Sequence, residues 1–258
     1  MGSYPRSYGP KFRWGGLLTP AIKTLLIVNT SVFLLQTLLA LFNPPANEWF
    51  LRWFGLMPLA ATRGLRIWQP FTYLFLHGGL WHLLLNMLVL WMFGSDLERQ
   101  WGQRRFYFYY FLTGVGAGLI NIAVKMGLYA SGDPQQLIVT IGASGAIYGV
   151  LLAAALVFPD RQVWLIPFPV MLPMRVYVAI IGAIAFFGSL GASGDNVSHI
   201  SHLGGMLVGY FYIRRGSFLF RLRNHVSDWR RRRARRKFEV YQRDHRDQPP
   251  THPDDWVN

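Results

Sequence analysis

Long blocks of apolar residues, separated by short charged segments, organise this chain. Six of these blocks lack Asp, Glu, Lys and Arg over a length close to the ~17 to 25 residues that a helix needs to cross a bilayer. We expect all six to be helices, because a helix satisfies its own backbone hydrogen bonds in lipid and an open strand does not. Their approximate ranges are 24–42, 71–93, 106–124, 141–158, 176–194 and 197–213.

The composition agrees with a membrane protein. The 258 residues are 52% hydrophobic and 15% charged, against roughly 25% charged in an ordinary soluble domain. The chain has no cysteine, which excludes a disulfide framework, a thiolate nucleophile and a cysteine-based metal site. The predicted fold class is therefore all-α, a polytopic membrane protein built as a bundle of six transmembrane helices.

The distribution of positive charge predicts the orientation of these helices. With both ends cytoplasmic, 22 of the 26 Lys and Arg residues lie inside and only Arg52, Arg63, Arg66 and Lys125 lie outside. This split follows the positive-inside rule. The first apolar block has no small-residue cleavage site behind it, so we expect it to be retained as a span.

The predicted domain organisation has three parts: a cytoplasmic N-terminal segment (1–19), the six-helix domain (20–213) and a basic cytoplasmic tail (214–258). The tail mixes Lys and Arg with aromatic residues, which favours attraction to anionic lipid at about 1 kcal/mol per basic residue. Nucleic-acid binding is the less favoured alternative and is not expected. The first outer loop, 43–70, is rich in Trp and Phe, which favour the membrane interface.

Candidate chemistry lies among the polar residues within the apolar blocks, since such residues are costly in lipid and usually face an interior cavity. The second, fourth and sixth spans run in the same direction, and each carries its polar residues within its first turns. These residues therefore lie at a similar depth, on the order of 10 Å below the outer surface. The set comprises His77, His82 and Asn86 in the second span, Ser144 and Tyr148 in the fourth, and Ser198, His199, Ser201 and His202 in the sixth.

Glycines at four-residue spacing favour close packing of the fourth and sixth helices. They are Gly145 and Gly149 on one helix and Gly205 and Gly209 on the other. Such an approach would bring Ser144 to His202.

A serine beside a histidine suggests a nucleophile and its general base. Asp195 has no local reason to point at His202, so we favour a Ser-His dyad in which Tyr148 packs against the imidazole. The amide of Ser144, with the side chains of His82 and Asn86, is a candidate oxyanion hole.

Each feature also has a simpler interpretation. A GASG sequence alone is more often a packing or turn motif, and His82 and Asn86 could bond to a neighbouring helix. His199 and His202 have i, i+3 spacing and could ligate a metal, although a metal site normally recruits a carboxylate or a third histidine. The absence of Asp and Glu from every span argues against an ion-coupled transporter. No metal or cofactor is expected.

Taken together, these motifs resemble the rhomboid intramembrane serine proteases, over about residues 68–209. The second span matches the family's HxxxxHxxxN pattern, the fourth its GxSG motif, and the sixth its HxxGxxxG motif. The matching residues are His77, His82 and Asn86, then Gly142 to Gly145, then His202, Gly205 and Gly209. The family's Trp-Arg pair in the first loop is only half present, as Trp68 and Gln69.

The resemblance implies an intramembrane serine endopeptidase in which Ser144 attacks a peptide bond and His202 is the base. His82, Asn86 and the Ser144 amide would stabilise the oxyanion, Tyr148 would support His202, and His77 would lie behind the site. Substrates would be transmembrane helices of other proteins, cut near their outer end.

Substrate entry is expected to pass the fifth helix, where Phe186 and Phe187 form a candidate gate flanked by Gly182 and Gly188; the alternative is ordinary lipid-facing aromatics. The alternative function is a non-catalytic relative that binds transmembrane clients. The short termini favour a prokaryotic plasma membrane as the location.

Overall fold

The computed structural model describes residues 18–129, 137–164, 170–190 and 199–215, and these are mostly helical. The predicted N-terminal segment up to residue 17 and the tail from residue 216 lie outside the described residues. The helices are α1 (Pro20–Phe42), α2 (Pro44–Phe54), α3 (Pro58–Thr62), α4 (Gln69–Thr72), α5 (Leu80–Val89), α6 (Ser95–Trp101), α7 (Gln103–Tyr129), α8 (Ser144–Val157), α9 (Met174–Leu190) and α10 (199–215).

Shorter elements connect these helices. A 3-10 turn (Tyr73–Phe75) follows α4, and a π-helical turn (Leu90–Gly94) joins α5 to α6. Between α8 and α9 the strands β1 (Gln162–Trp164) and β2 (Met171–Pro173) form an antiparallel pair in which Val163 lies opposite Leu172.

Contacts divide the chain into two compact units, Met1–Phe211 and Tyr212–Asn258. Of the second unit the structure describes residues 212–215, which form the end of α10. The contacts reported below lie within the first unit. The predicted division at residues 19 and 213 stays a prediction.

Within the described residues, three helices are long and apolar enough to cross a membrane: Pro20–Phe42, Leu80–Trp101 and Gln103–Leu128. The second of these runs from α5 through the π-helical turn into α6. Helices α8 and α9 are apolar but shorter, with 14 and 17 residues. The all-α membrane fold is confirmed, and the count of six spans stays a prediction.

The predicted helix boundaries need correction at three places. The second span begins at Leu80 and not at residue 71, directly after the Gly78-Gly79 pair. The third extends to Tyr129, so the expectation that Lys125 lies in an outer loop is wrong. The fourth begins at Ser144, because residues 141–143 leave the helical path. Residues 191–194 of the fifth predicted span and 197–198 of the sixth lie outside the described residues.

The start of α1 is fixed by a carboxylate from another helix. Glu98 of α6 is buried and accepts hydrogen bonds from the amides of Ala21 and Ile22, at 2.9 and 3.1 Å, and from the hydroxyl of Thr19. These amides have no partner within α1, and a negative charge at a helix N-terminus is favourable. Glu98 therefore joins the start of the first helix to the C-terminal part of the second span.

The first outer loop is folded and contains the amphipathic helix α2. Its aromatic rings pack on each other: Trp49 stacks on Trp53 at 5.6 Å, and Trp53 lies 5.3 Å from Trp68. Side chains from residues 66–72 cap the last carbonyls of α2, which lack partners within the helix. Trp68 Nε1 donates to the Trp53 carbonyl at 3.0 Å, and Thr72 Oγ1 to the Phe54 carbonyl at 2.6 Å.

Gln69 is the central anchor of this loop. It is fully buried; its Nε2 donates to the carbonyls of Arg52 and Trp53 at 3.0 and 3.3 Å, and its Oε1 accepts from the Met57 amide at 3.1 Å. A neutral amide both donates and accepts, which a guanidinium does not. The departure from the Trp-Arg pair therefore leaves the loop anchored.

Replacing Gln69 by Leu should destabilise the protein. The substitution leaves the part-buried Met57 amide without its acceptor, whereas the Arg52 and Trp53 carbonyls keep donors from Arg66 and Trp68. An unsatisfied buried group costs about 1 to 3 kcal/mol. We expect a clear fall in the midpoint of thermal unfolding in detergent. Gln100→Leu, at an exposed position of α6, is the matched control. Equal midpoints for the two variants would contradict the assigned anchoring role.

Helix α7 lies against the 3-10 turn that precedes the second span and against α8. Tyr73 donates to the Gly114 carbonyl and Tyr109 to the Gly149 carbonyl, both at 2.7 Å. A Cβ atom on Gly149 would lie 2.6 to 2.8 Å from Thr113 of α7, so the missing side chain permits this approach. These buried contacts set the place of α8, which begins with Ser144.

Candidate active site

The structure brings Ser144 and His202 into direct contact. Ser144 Oγ lies 2.8 Å from His202 Nε2, although the two residues are 58 positions apart. Ser144 is the first residue of α8, and His202 lies in α10. The predicted proximity of these two side chains is confirmed.

The backbone before Ser144 is non-helical and held at two points. Thr140 and Leu56 exchange main-chain hydrogen bonds of 2.8 and 2.9 Å, and the Gly142 amide donates to the Tyr73 carbonyl at 2.9 Å. Irregular backbone is tolerated at membrane depth where protein buries it or where it lines a cavity. The segment therefore approaches Ser144 in a fixed conformation.

The backbone conformation at Gly142 and the space around it both exclude a side chain. Its φ of +124° lies in a region that L-residues rarely adopt. A Cβ atom at this position would also lie 2.8 Å from the His82 ring. The first glycine of the GxSG motif thus lets His82 approach the backbone beside Ser144.

The imidazole of His202 is held by ring contacts. Tyr148, one turn after Ser144, stacks on it with ring centroids 4.0 Å apart and planes 5° from parallel. His199 meets it edge-on at 6.0 Å. Within the described part of the chain, His202 Nδ1 has no hydrogen-bond partner. Asp195, the one acid considered as an orienting group, lies outside the described residues, as does Ser198.

The three predicted oxyanion donors are the Ser144 amide, His82 and Asn86. The amide of Ser144 belongs to the first turn of α8, where amides lack partners within the helix. His82 accepts from the Gly78 amide at Nδ1, 3.3 Å away, which makes its Nε2 the protonated nitrogen in the neutral tautomer. Asn86 lies one turn further along α5 and is buried; among the described residues its Nδ2 has no hydrogen-bond partner.

A glycine seam, formed by Gly145 and Gly205, joins the two helices that carry the Ser-His pair. A Cβ atom on Gly205 would overlap the carbonyl oxygen of Gly145, so the two backbones touch. The other pair expected to meet here does not: Gly149 faces Thr113, and Gly209 faces Tyr109, both of α7. Of the two predicted glycine pairs, one therefore packs between α8 and α10, whereas the glycines of the other pair pack against α7.

His77 lies behind the site and outside the helix in which it was expected. Its ring meets the His82 ring edge-on at 5.1 Å. Gln36 of α1 holds its backbone, accepting from the His77 amide at 3.1 Å and donating to its carbonyl at 3.3 Å. Gln36 was not predicted from the sequence, because it lies in the first span and the candidate residues were sought in the second, fourth and sixth spans.

The candidate gate residues lie on the exposed side of α9. Phe186 and Phe187 expose 49% and 68% of their surface and contact each other at 5.6 Å. A Cβ atom on Gly188 would meet the His199 ring, which shows where α9 touches α10. Over the described ranges, no group of three or more His, Asp or Glu side chains is arranged to hold a metal ion.

Comparison with known proteins agrees with this helical membrane fold. The family model described as the Rhomboid domain matches residues 64–217. The chain therefore belongs to the rhomboid family.

Among its relatives, "Rhomboid protein 1, mitochondrial" of Saccharomyces cerevisiae is 31% identical over 140 residues, covering 54% of this chain and 38% of that protein. "Presenilin-associated rhomboid-like protein A, mitochondrial" of Danio rerio is 30% identical over 238 residues, covering 87% of this chain and 54% of that protein. This chain thus spans only 38% and 54% of the lengths of these two relatives. Their mitochondrial names conflict with the expectation of a prokaryotic plasma membrane and give it no support.

Proposed function

We propose that this protein is an intramembrane serine endopeptidase with a Ser144-His202 dyad. The observation that carries the proposal is the 2.8 Å contact between Ser144 Oγ and His202 Nε2 at the start of α8. An isolated hydroxyl is a poor nucleophile, and an imidazole that takes its proton activates it. Membership of the rhomboid family supports the same chemistry.

The reaction divides the proton transfers between the two residues. As Ser144 Oγ bonds to the substrate carbonyl carbon, His202 Nε2 takes the hydroxyl proton. His202 then gives this proton to the leaving amine as the peptide bond breaks, which leaves an acyl-serine. Water, deprotonated by His202, attacks the acyl group and releases the second product and Ser144.

The oxyanion of the tetrahedral intermediate would be held by donors already in place. We assign this role to the Ser144 amide, His82 Nε2 and Asn86 Nδ2. Donors fixed before the reaction cost no reorganisation in the transition state. The contact of Gly142 with the His82 ring supports this assignment, because it brings the imidazole to the backbone next to the nucleophile.

Asn86→Ala should reduce kcat by about 10²-fold, the usual effect of losing one oxyanion donor. KM for a transmembrane substrate should change little, because the lost interaction forms only in the transition state. Initial rates in liposomes at several substrate concentrations would measure both constants. The control is Asn29→Ala, a buried asparagine of α1 that donates to its own helix. An unchanged kcat for Asn86→Ala would remove Asn86 from the oxyanion hole.

The substrates we propose are transmembrane helices cut near their outer end. Helix α8 has 14 residues, which span ~21 Å against a hydrocarbon thickness of ~30 Å. If its last turn reaches the inner surface, Ser144 lies on the order of 10 Å below the outer one. A helical substrate hides its carbonyls and must unwind locally to be cut, so helix-weakening residues near its outer end should favour cleavage.

The exposed face of α9 supports lateral entry past Phe186 and Phe187. Replacing both by Ala should raise the cleavage rate of a transmembrane substrate several-fold, because smaller side chains reduce the packing that opposes entry. Cleavage of a soluble, unfolded peptide that reaches the site from water should change less. Leu34→Ala and Leu38→Ala together, on the exposed face of α1, are the control. Unchanged rates for both substrates would make the two rings ordinary lipid-facing residues.

Cleavage of a transmembrane model substrate by the purified chain in liposomes tests the proposed function. We expect cleavage that a chelator does not affect and that a fluorophosphonate, which reacts with activated serines, abolishes. Cleavage lost only to the chelator would contradict the dyad. Binding of transmembrane helices without cleavage or serine labelling would identify a non-catalytic client-binding protein instead.

A further inference from the structure

Helix α7 carries two buried polar residues that the proposed chemistry does not use. Asn121 and Lys125 are four positions apart and therefore share one helix face. They expose 0% and 4% of their surface, in a helix apolar enough to cross a membrane. A lysine in such a place is costly and marks a functional role by default.

Lys125 contacts the segment that leads to the nucleophile. Its Nζ lies 3.1 Å from Thr140 Oγ1, and Thr140 is itself buried. The main chain of Thr140 is already paired with Leu56, so the lysine acts on a residue whose backbone is fixed. Thr140 stands four positions before Ser144. The contact therefore ties α7 to the start of α8.

Asn121 contacts the helix that carries the base. Its Nδ2 lies 3.1 Å from the hydroxyl oxygen of Ser201, the residue directly before His202. A single face of α7 thus contacts both elements that meet in the Ser-His pair. Apart from the contacts of the His202 ring with Ser144 and Tyr148, these two helices meet at the glycine seam. The seam has no side chains to interlock and does little to oppose sliding of one helix along the other.

We propose that Asn121 and Lys125 are positioning residues that set the register between Ser144 and His202 from a third helix. The inference rests on the proposed protease function. Directional hydrogen bonds fix a position along the helix axis, which apolar packing against smooth backbones does less well. Misplacing reacting groups by about 1 Å can cost about 10²-fold in rate. The two residues act through Thr140 and Ser201 and touch no reacting atom.

Kinetics of the full chain in liposomes, with a transmembrane model substrate, test this inference. Lys125→Met keeps the length of the side chain and removes its ammonium. We expect kcat to fall roughly tenfold or more while KM stays within about twofold. Fluorophosphonate labelling of the serine should slow in the same proportion. Lys125→Arg, which keeps a donor, should recover part of the rate.

Thr140→Val tests the same contact from the other side, because it keeps the main-chain pairing with Leu56 and removes the hydroxyl. The double variant of Lys125→Met and Thr140→Val should lose less rate than the product of the two single losses, since the contact between these two side chains is lost in both. Asn121→Leu should likewise lower kcat and not KM. Lys23→Met, at an exposed lysine of α1, is the control and should match wild type.

The possible outcomes separate this inference from the proposed function. Full kcat for Lys125→Met, Thr140→Val and Asn121→Leu, with an active wild type, would overturn the positioning role and leave the protease intact. Rate losses that multiply in the double variant, or that merely follow a lower unfolding midpoint, would also overturn it. A wild type without cleavage or serine labelling would overturn both proposals.

Discussion

Ser144→Ala should reduce cleavage of a transmembrane substrate at least ~10³-fold, to the background of the assay. Without the hydroxyl no acyl-enzyme forms, whatever the other donors do. Substrate binding should persist, because Ser144 contributes little surface to a bound helix. The measurement is the initial rate in liposomes together with co-purification of uncut substrate. Ser31→Ala, at an exposed position of α1, is the matched control.

His202→Ala should give a loss of similar size, and the double variant with Ser144→Ala should be no worse than either single variant. Groups that act as a unit in catalysis are strongly non-additive. A rate for Ser144→Ala within tenfold of wild type would remove Ser144 as nucleophile. Losses that multiply in the double variant would show that the two residues act independently.

Gly205→Ala should destabilise the protein and reduce its activity further than the stability loss explains. The new Cβ atom would overlap the Gly145 carbonyl oxygen, and neither backbone can move away without separating α8 from α10. Overpacking of this kind costs about 1 to 3 kcal/mol. The same displacement lengthens the 2.8 Å contact between Ser144 and His202. Thermal unfolding in detergent and the cleavage rate below the unfolding midpoint would measure the two effects.

Gly127→Ala is the control for this substitution. Gly127 is also a helical glycine, but a Cβ atom added there meets nothing within 4 Å among the described residues. Alanine favours a helix over glycine by up to ~1 kcal/mol, so this variant should be as stable as wild type or slightly more stable. If both variants behave like wild type, the glycine seam tolerates a methyl group and does not set the position of the dyad.

Sequence predicted the contacts of the candidate site better than the path of its backbone. Ser144, His202 and Tyr148 were found because few polar residues interrupt the apolar blocks, and those few must face inward. The fourth helix was predicted to start at residue 141, three residues too early. Residues 141–143 are as apolar as the helix that follows them. They are not helical because the backbone there pairs with Leu56 and Tyr73, and these contacts with distant parts of the chain are not visible in the local sequence.

Treating charges as markers of loops produced the other main error. Lys125 was counted outside the membrane, whereas α7 extends past it and buries it beside Thr140. Gln69 of the first loop is a related case. Comparison with the Trp-Arg pair counted Gln69 as a missing charge, but its three hydrogen bonds to the loop depend on donors and acceptors and not on charge.

The 58 positions between Ser144 and His202 also affect how the protein is made. A ribosome delivers α8 long before α10, so a chain inserted only as far as α9 has the serine without its base. The glycine seam cannot form until the last helix docks. Proteolytic activity would therefore begin only at the final step of membrane insertion. A partly synthesised chain would not cleave the transmembrane helices of neighbouring proteins.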